Sequence, residues 1–193
     1  MAPGAIRALG NLDVLRHSPL AFFCSSRCPG DVVLKALDGA RALRDAGRTV
    51  ISGFHSSMER DCLDFLLKGT QPVIICPARG LPTRLPAEWR EAISAGRLLL
   101  LTAFGDEVKR ATAVTAAKRN AFVAALATEV LVAHASPGAK LEQLCRRVAD
   151  WGKPLWTFDS PNNDHLLEIG AQAKTVDEIV SYSRDMRDRT RGN

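Results

Sequence analysis

The sequence predicts an α/β fold: one Rossmann-like, doubly wound domain with a mainly parallel six-strand sheet and helices on both faces. Short apolar runs alternate along the chain with amphipathic segments of helical length. The apolar runs are continuous, which is typical of parallel strands that helices cover on both faces. The 193 residues, of which 46% are hydrophobic and 24% charged, have the composition of one globular domain, which excludes a disordered or fibrous chain.

Each predicted strand is a short apolar run bounded by polar residues, glycine or proline. The longest run, Leu98–Leu101, is far short of the roughly 20 apolar residues that a membrane span needs, so we expect no membrane partner. The predicted strands are residues 20–24, 49–52, 72–76, 98–102, 129–133 and 154–158.

The predicted helices follow these strands and carry their apolar residues at helical spacing. In the first helix Asp31 is the expected N-cap and Gly47 the expected C-cap. The predicted helices are residues 31–47, 58–68, 86–95, 112–127, 140–151 and 164–169, followed by a last helix from residue 176.

Basic residues outnumber acidic ones by 26 to 21, and the net charge of +5 permits an anionic partner. Part of the excess lies at the C-terminus, and a second cluster precedes and enters the helix that carries Arg119. We divide the chain into an N-terminal extension (1–18), the Rossmann-like domain (19–180) and a basic C-terminal tail (181–193).

The five cysteines are odd in number and lack the spacing of a disulfide framework. With no apolar leader before them, they indicate reduced thiols in a cytoplasmic protein. Most cysteines of this kind are small buried apolar residues, so we predict no metal. A zinc or redox site is the alternative, because Cys24 and Cys28 are four positions apart and Cys76 is expected near them, although no C-x-x-C pair is present.

Two loops are candidates for a phosphate site, because doubly wound sheets bind ligands beyond the carboxyl ends of their strands. Hydroxyls, basic side chains and the N–H groups of a helix start together bind phosphate. Neither loop is a G-x-G-x-x-G motif or a P-loop, which argues against NAD binding and ATP hydrolysis. The alternative is that serine, proline and glycine only form tight turns there. The candidate residues are Ser25, Ser26 and Arg27 after the first strand and Ser136, Gly138 and Lys140 after the fifth.

Four segments, taken in chain order, carry a resemblance to one family. They are Cys24–Pro29, Thr49–Gly53, Cys76–Leu81 followed by Pro86, and Lys118–Ala121 followed by the strand from Val130. They resemble the Gly-Ser-Arg-x-Pro, Val-Ser-Gly, Gly-x-Gly-Leu…Tyr-Pro and Arg-Arg-Asn segments of the DNA-processing protein A (DprA/Smf) family. The resemblance covers roughly residues 20–158.

The resemblance implies a Rossmann-like domain of the SLOG superfamily that binds single-stranded DNA or a nucleotide in a basic pocket. It also implies a homodimer and a recombinase partner in the DNA recombination of natural transformation. Carried over residue by residue, it assigns ligand contacts to Arg27, Ser52, Gly53, Arg119 and Asn120. We expect no cofactor apart from a bound nucleotide.

Two basic positions of the family pattern are occupied by Ser56 and Ala121, so a small nucleotide stays open as the ligand beside DNA. The runner-up function comes from the segment Ser136–Glu142, which resembles the loop of the lysine-decarboxylase-like (LOG) phosphoribohydrolases. That resemblance implies cleavage of a nucleoside monophosphate with Glu142 as the catalytic carboxylate. A solvent-facing helix residue is the favoured interpretation of Glu142. A degenerate nucleotide-sensing subunit is a third alternative, and we predict binding rather than catalysis.

Overall fold

The computed structural model describes residues 6–181. The first five residues and the predicted basic tail beyond Ser181 lie outside the described residues. Within the described part of the chain, no helix is both long and apolar enough to cross a membrane.

One mainly parallel sheet organises the chain, with the strand order β1-β5-β4-β3-β2-β6-β7-β8. The strands are β1 (Arg7–Gly10), β2 (Leu20–Cys24), β3 (Val50–Ser52), β4 (Val73–Ile75), β5 (Leu98–Thr102), β6 (Glu129–His134), β7 (Leu155–Phe158) and β8 (Gln172–Lys174). All neighbouring pairs are parallel except β1 and β5, which are antiparallel. The predicted Rossmann-like α/β class is therefore confirmed, but the sheet has two strands beyond the predicted six.

The two additional strands lie at the edges of the sheet, where continuous apolar runs are not required. All four residues of β1 are exposed, and this strand falls within the segment that we assigned to an N-terminal extension. Gly10 permits the pairing, because a Cβ there would lie 2.3 Å from the carbonyl oxygen of Leu98. At the other edge, Gln172–Lys174, in which a single alanine stands between two polar residues, pair with β7.

The helices connect successive strands and begin and end close to their predicted positions. They are α1 (Gly30–Asp45), α2 (Ser57–Leu67), α3 (Ala87–Ser94), α4 (Ala113–Leu126), α5 (Lys140–Asp150) and α6 (Asp164–Leu167), with a last helix from residue 176. The predicted N-cap Asp31 is wrong, because Pro29 is the N-cap of α1. The Asp31 carboxylate instead accepts hydrogen bonds from Ser160 and Asn162.

Alternate side chains of each central strand enter two separate cores, one on each face of the sheet. Leu20 and Phe22 pack with α1 and α2 on one face, whereas Ala21 and Phe23 pack with α4 and α5 on the other. Burial on both faces explains why these strands are continuous apolar runs.

The strand order reverses between β2 and β6, and this reversal positions the candidate site. From β2 the chain proceeds through β3 and β4 to β5, and then crosses back to pair β6 with the other side of β2. The loops that follow β2 and β6 consequently leave the sheet in opposite directions and open a crevice. They remain joined at its base, where the Ser25 N–H donates to the His134 carbonyl at 2.9 Å.

Candidate functional site

The crevice at the strand reversal holds a cavity of about 340 Å³ formed by three loops and helix α4. Most of the residues predicted for the site line it, namely Ser25, Ser26, Arg27, Arg119, Asn120, Ser136 and Lys140. Arg27 and Lys140 are exposed there, so their charges are available to an anion. The structure therefore brings together residues from the loops after the first and fifth predicted strands, as a ligand site at the strand reversal requires.

Ser25 lines the cavity and also connects the loop after β2 to the loop after β6. Its Oγ accepts a hydrogen bond of 3.0 Å from the Ser136 N–H. The backbone bond from Ser25 to His134 lies directly beside it. Ser25 thus fixes the spacing of the crevice, which places Ser26 and Arg27 opposite Ser136.

Glu59 is a buried carboxylate that organises the floor of the cavity, and it was not among the predicted site residues. Its two oxygens accept hydrogen bonds from the N–H groups of Cys24 at 3.1 Å, His55 at 2.7 Å and Ser56 at 3.2 Å. Ser56 Oγ in turn accepts from the Glu59 N–H, which completes a capping box at the start of α2. The S-x-x-E spacing is the sequence signal for this cap, but the link to Cys24 arises only in the fold.

Arg119 lies two turns into α4 and crosses over Gly53 to reach the end of β4. The residue is only 5% exposed. Its Nη1 donates to the Cys76 carbonyl at 3.0 Å and its Nε donates to Asn120 Oδ1 at 2.7 Å. Burial lowers the pKa of Arg119, and the charge of Glu59 opposes this effect. Two of its nitrogens, Nη1 and Nε, thus bond within the protein, while the residue lines the cavity.

Gly53 has a packing role, although it was predicted as a ligand contact. A Cβ at this position would lie 1.2 Å from Arg119 Nη1, so any larger residue would displace the guanidinium. The next residue, Phe54, is buried and has a φ of +46°. A positive φ is costly for a bulky residue, and such strain often accompanies functional loops.

Besides Gly53, which lines the adjoining cavity, two predicted ligand residues do not line this one. Ser52 is fully buried, and its Oγ accepts a hydrogen bond of 3.4 Å from the Phe54 N–H. Gly138 has a φ of +73°, and its N–H donates to the Glu142 carboxylate instead of facing the crevice. In both cases groups of the protein itself occupy the polar atoms that we expected to contact phosphate.

Glu142 is buried rather than solvent-facing, so the favoured interpretation of its environment was wrong. Its carboxylate accepts hydrogen bonds from the Gly138 N–H and, at 2.9 Å, from Arg146. The Gly138 hydrogen bond, followed by the interactions with Arg146, lowers the pKa of Glu142. Lys140 and Leu141, the two residues before it in the first turn of α5, line the cavity, but Glu142 does not.

Two further cavities extend the crevice along the carboxyl edge of the sheet. One, of about 490 Å³, shares His55 and Arg119 with the first and adds Arg79, Arg84 and Trp89. The next, of about 520 Å³, shares Arg79 and Arg84 and reaches Lys109. We define these three connected cavities as the carboxyl-edge groove.

The cations of the groove outnumber its free acids. Arg27, Arg79, Arg84, Lys109 and Lys140 are exposed side chains along it. The acids that line it are already engaged within the protein: Glu59 holds three backbone N–H groups, and Asp106 pairs with Arg7. The groove can therefore attract a polyanion. The loop that carries Arg79 and Arg84 was expected near this edge, but neither arginine was singled out, because isolated arginines in a loop carry no motif.

The described cysteines and His134 do not have the arrangement of zinc ligands. Cys76 packs in the core on the face of the sheet opposite Cys24 and Cys28. Within residues 6–181, no three His, Cys, Asp or Glu side chains are grouped as they would be to hold a metal ion. His134 Nδ1 is hydrogen-bonded to Asn163 Oδ1 at 2.9 Å and is buried.

No protein-family model and no curated protein matches the sequence. Solved structures do match the fold. DNA processing protein A from Helicobacter pylori, described with a single-stranded DNA binding mode, has a TM-score of 0.77 at 18% identity over 93% of this chain and 86% of that protein. DprA from Streptococcus pneumoniae has a TM-score of 0.77 at 19% identity, over 93% of this chain and 66% of that protein.

Molybdenum cofactor proteins share the fold at a greater distance. The molybdenum cofactor binding protein from Rippkaea orientalis has a TM-score of 0.62 at 9% identity, over 89% of this chain and 98% of that one. The higher TM-scores of the two DNA-processing proteins agree with the resemblance found in the sequence. The chain thus has the Rossmann-like fold of the DprA proteins.

Proposed function

We propose that this chain binds single-stranded DNA along the carboxyl-edge groove. The observation that carries the proposal is the series of exposed cations Arg27, Lys140, Arg79, Arg84 and Lys109, which line connected cavities whose acids are internally engaged. Lysine and arginine bind phosphates through charge, and arginine adds forked hydrogen bonds.

The shape of the groove favours a single strand over a duplex. Each cavity has a volume suited to a small ligand, between about 340 and 520 Å³. Trp89 packs in part against the core and is half-buried in the middle cavity, where an unstacked base can reach its ring. Stacking of bases on aromatic side chains beside a basic track is typical of single-strand binding.

Two further observations support the proposal. The motifs around Arg27 and Arg119 resemble the DprA/Smf family, and both residues line the same cavity. The Helicobacter pylori neighbour, which shares the fold, has a single-stranded DNA binding mode of its own.

The test uses exposed residues, because removal of the buried Arg119 would also leave the Cys76 carbonyl without its hydrogen bond. Binding of a fluorescent oligothymidine should weaken at least tenfold in the double variant Arg27→Ala/Lys140→Ala, since charge-assisted hydrogen bonds contribute about 1.5–3 kcal/mol each. The slope of log affinity against log salt should fall by about 0.7 for each phosphate that the variant no longer neutralises. Fluorescence anisotropy across a salt series measures both quantities.

The matched control is Arg16→Ala, which removes an exposed positive charge ahead of the amino end of β2, outside the groove. This control should bind like the wild type. Unchanged affinity of the double variant, or an equal loss in Arg16→Ala, would refute the groove as the binding site.

A mononucleotide is the alternative ligand, because a single cavity of the groove is large enough for one. A nucleotide pocket predicts that a nucleoside monophosphate binds with an affinity that depends on Arg27, while added length in an oligonucleotide brings no gain. Calorimetry with a monophosphate and with oligothymidines of increasing length separates the two ligands. The phosphoribohydrolase alternative gains no support from Glu142, whose carboxylate is held by Gly138 and Arg146.

The homodimer and the recombinase partner remain proposals drawn from the resemblance alone. Sedimentation of the chain, with and without oligonucleotide, would test the dimer.

A further inference from the structure

Cys24 and Cys28 stand at the two ends of the loop that carries Ser25, Ser26 and Arg27. Cys24 ends β2 and lines the first cavity, and Cys28 is half-buried just before α1. Both side chains pack against the same buried cluster, and each thiol is the largest influence on the pKa of the other. We propose that a peroxide oxidises Cys24 and Cys28 to a reversible disulfide, which closes a ring over the site loop 24–28.

The surroundings assign different roles to the two thiols. Cys28 is the more accessible of the pair, and its hydrogen bond with Cys24 lowers its pKa. The start of α1 at Gly30 adds a positive helix terminus near this sulfur, which favours the reactive thiolate. Cys24 is 4% exposed, and its pKa is raised by the hydrogen bond with Cys28 and by burial. Cys28 is therefore the attacking sulfur and Cys24 the resolving one.

The oxidation balances with hydrogen peroxide as the oxidant. The Cys28 thiolate attacks one peroxide oxygen, the O–O bond breaks, and Cys28 becomes a sulfenic acid with release of hydroxide. The Cys24 thiol then displaces the sulfenic oxygen, forming the S–S bond and releasing water. In total, two thiols and one peroxide give one disulfide and two waters, so the two sulfurs supply both electrons.

The remaining cysteines are poorly placed to compete. Cys76 and Cys145 pack on the opposite face of the sheet. Cys62 is nearer but 1% exposed, and its thiol donates to the Ala36 carbonyl at 3.6 Å.

The test is a peptide map of the full chain after treatment with hydrogen peroxide and alkylation of the free thiols. Trypsin cleaves between Arg27 and Cys28, which separates peptide 17–27 with Cys24 from peptide 28–35 with Cys28. We expect these two peptides to be linked, and a reductant to release them. Two unlinked peptides with both cysteines alkylated, or a link from 28–35 to the Cys62 peptide 61–68, would overturn the proposal.

Variants test the two roles. In Cys24→Ala, the sulfenic acid on Cys28 has no resolving partner and should be trapped by dimedone. In Cys28→Ala neither the linked peptides nor the dimedone adduct should form, whereas the control Cys76→Ala should keep the link. An adduct on Cys24 in the Cys28→Ala variant would reverse the assigned roles and refute this part of the proposal. If a variant fails to fold, the map of the unaltered chain still decides whether the disulfide exists.

Discussion

The position of the Arg119 side chain depends on residue 53 being a glycine. Its guanidinium occupies the space that a Cβ of residue 53 would fill, and it is held there by the Cys76 carbonyl and by Asn120. The motif resemblance assigned both Arg119 and Gly53 to the ligand. In the structure Arg119 lines the cavity, and the absence of a side chain at Gly53 leaves room for its guanidinium.

Gly53→Ala should therefore weaken oligothymidine binding as well as stability. The new methyl group overlaps Arg119 Nη1, so the guanidinium must move away from its partners and from the cavity. Overpacking of this kind costs about 1–3 kcal/mol, measurable by urea denaturation. Gly30→Ala is the matched control, because a Cβ there meets nothing within 4 Å. Equal stability of the two variants would contradict the assigned role of Gly53.

The strands and helices that could be predicted are those whose pattern lies in the local sequence. The observed β2 and β5 have the predicted bounds, because each is a continuous apolar run buried on both faces. The edge strands β1 and β8 were missed, since exposed residues carry no apolar pattern and only their neighbours make them strands. Helix starts were predicted to within one residue, but the cap of α1 was not, because Asp31 bonds to a loop distant in sequence.

The interactions of the Glu142 carboxylate at the start of α5 should make the free energy of unfolding depend on pH in the acid range. Hydrogen bonding from Gly138 and pairing with Arg146 hold the Glu142 pKa below its usual value of 4.5. A lowered pKa in the folded state gives stability that is present above the unfolded pKa and is lost as pH falls through the folded pKa. Glu142→Gln should thus lower the free energy of unfolding at pH 7 by about 1 kcal/mol, and this difference should disappear as the pH falls through the folded-state pKa.

Urea denaturation across a pH series measures this dependence. The exposed Glu88, in the first turn of α3, provides the control Glu88→Gln, which should leave the pH profile nearly unchanged. A constant difference between Glu142→Gln and the wild type at all pH values would contradict the assignment.

Across the whole molecule, the two halves of the sheet are joined at both ends of the reversal. At the carboxyl edge the Ser25–Ser136 bond joins the loops that form the site. At the amino edge Arg48, just before β3, forms a buried ion pair with Glu129, the first residue of β6, on the other side of β2. The side chains of this pair are 1% and 4% exposed. Contacts therefore bridge β2 at both edges of the sheet.

Removal of one partner of this pair should be strongly destabilising. Glu129→Leu leaves the Arg48 charge buried, which costs about 3–5 kcal/mol. The double variant Arg48→Met/Glu129→Leu replaces both charges with apolar groups and should recover most of that loss. Chemical denaturation of both variants measures the difference. A double variant no more stable than Glu129→Leu would show that the pair is not the source of the loss.

The sequence by itself determined the fold class, the order of the six central strands along the chain, and the loops that meet at the ligand edge. These properties follow from apolar runs and helical periodicity, which are local and repeat along the chain. Only the tertiary structure decided which polar atoms face the groove. It buried Ser52, engaged the Gly138 N–H with Glu142, placed Glu59 beneath the cavity, and added Arg79 and Arg84. The physical reason is that a polar group bonds whatever donor or acceptor the fold brings near it, and those partners lie far apart in sequence.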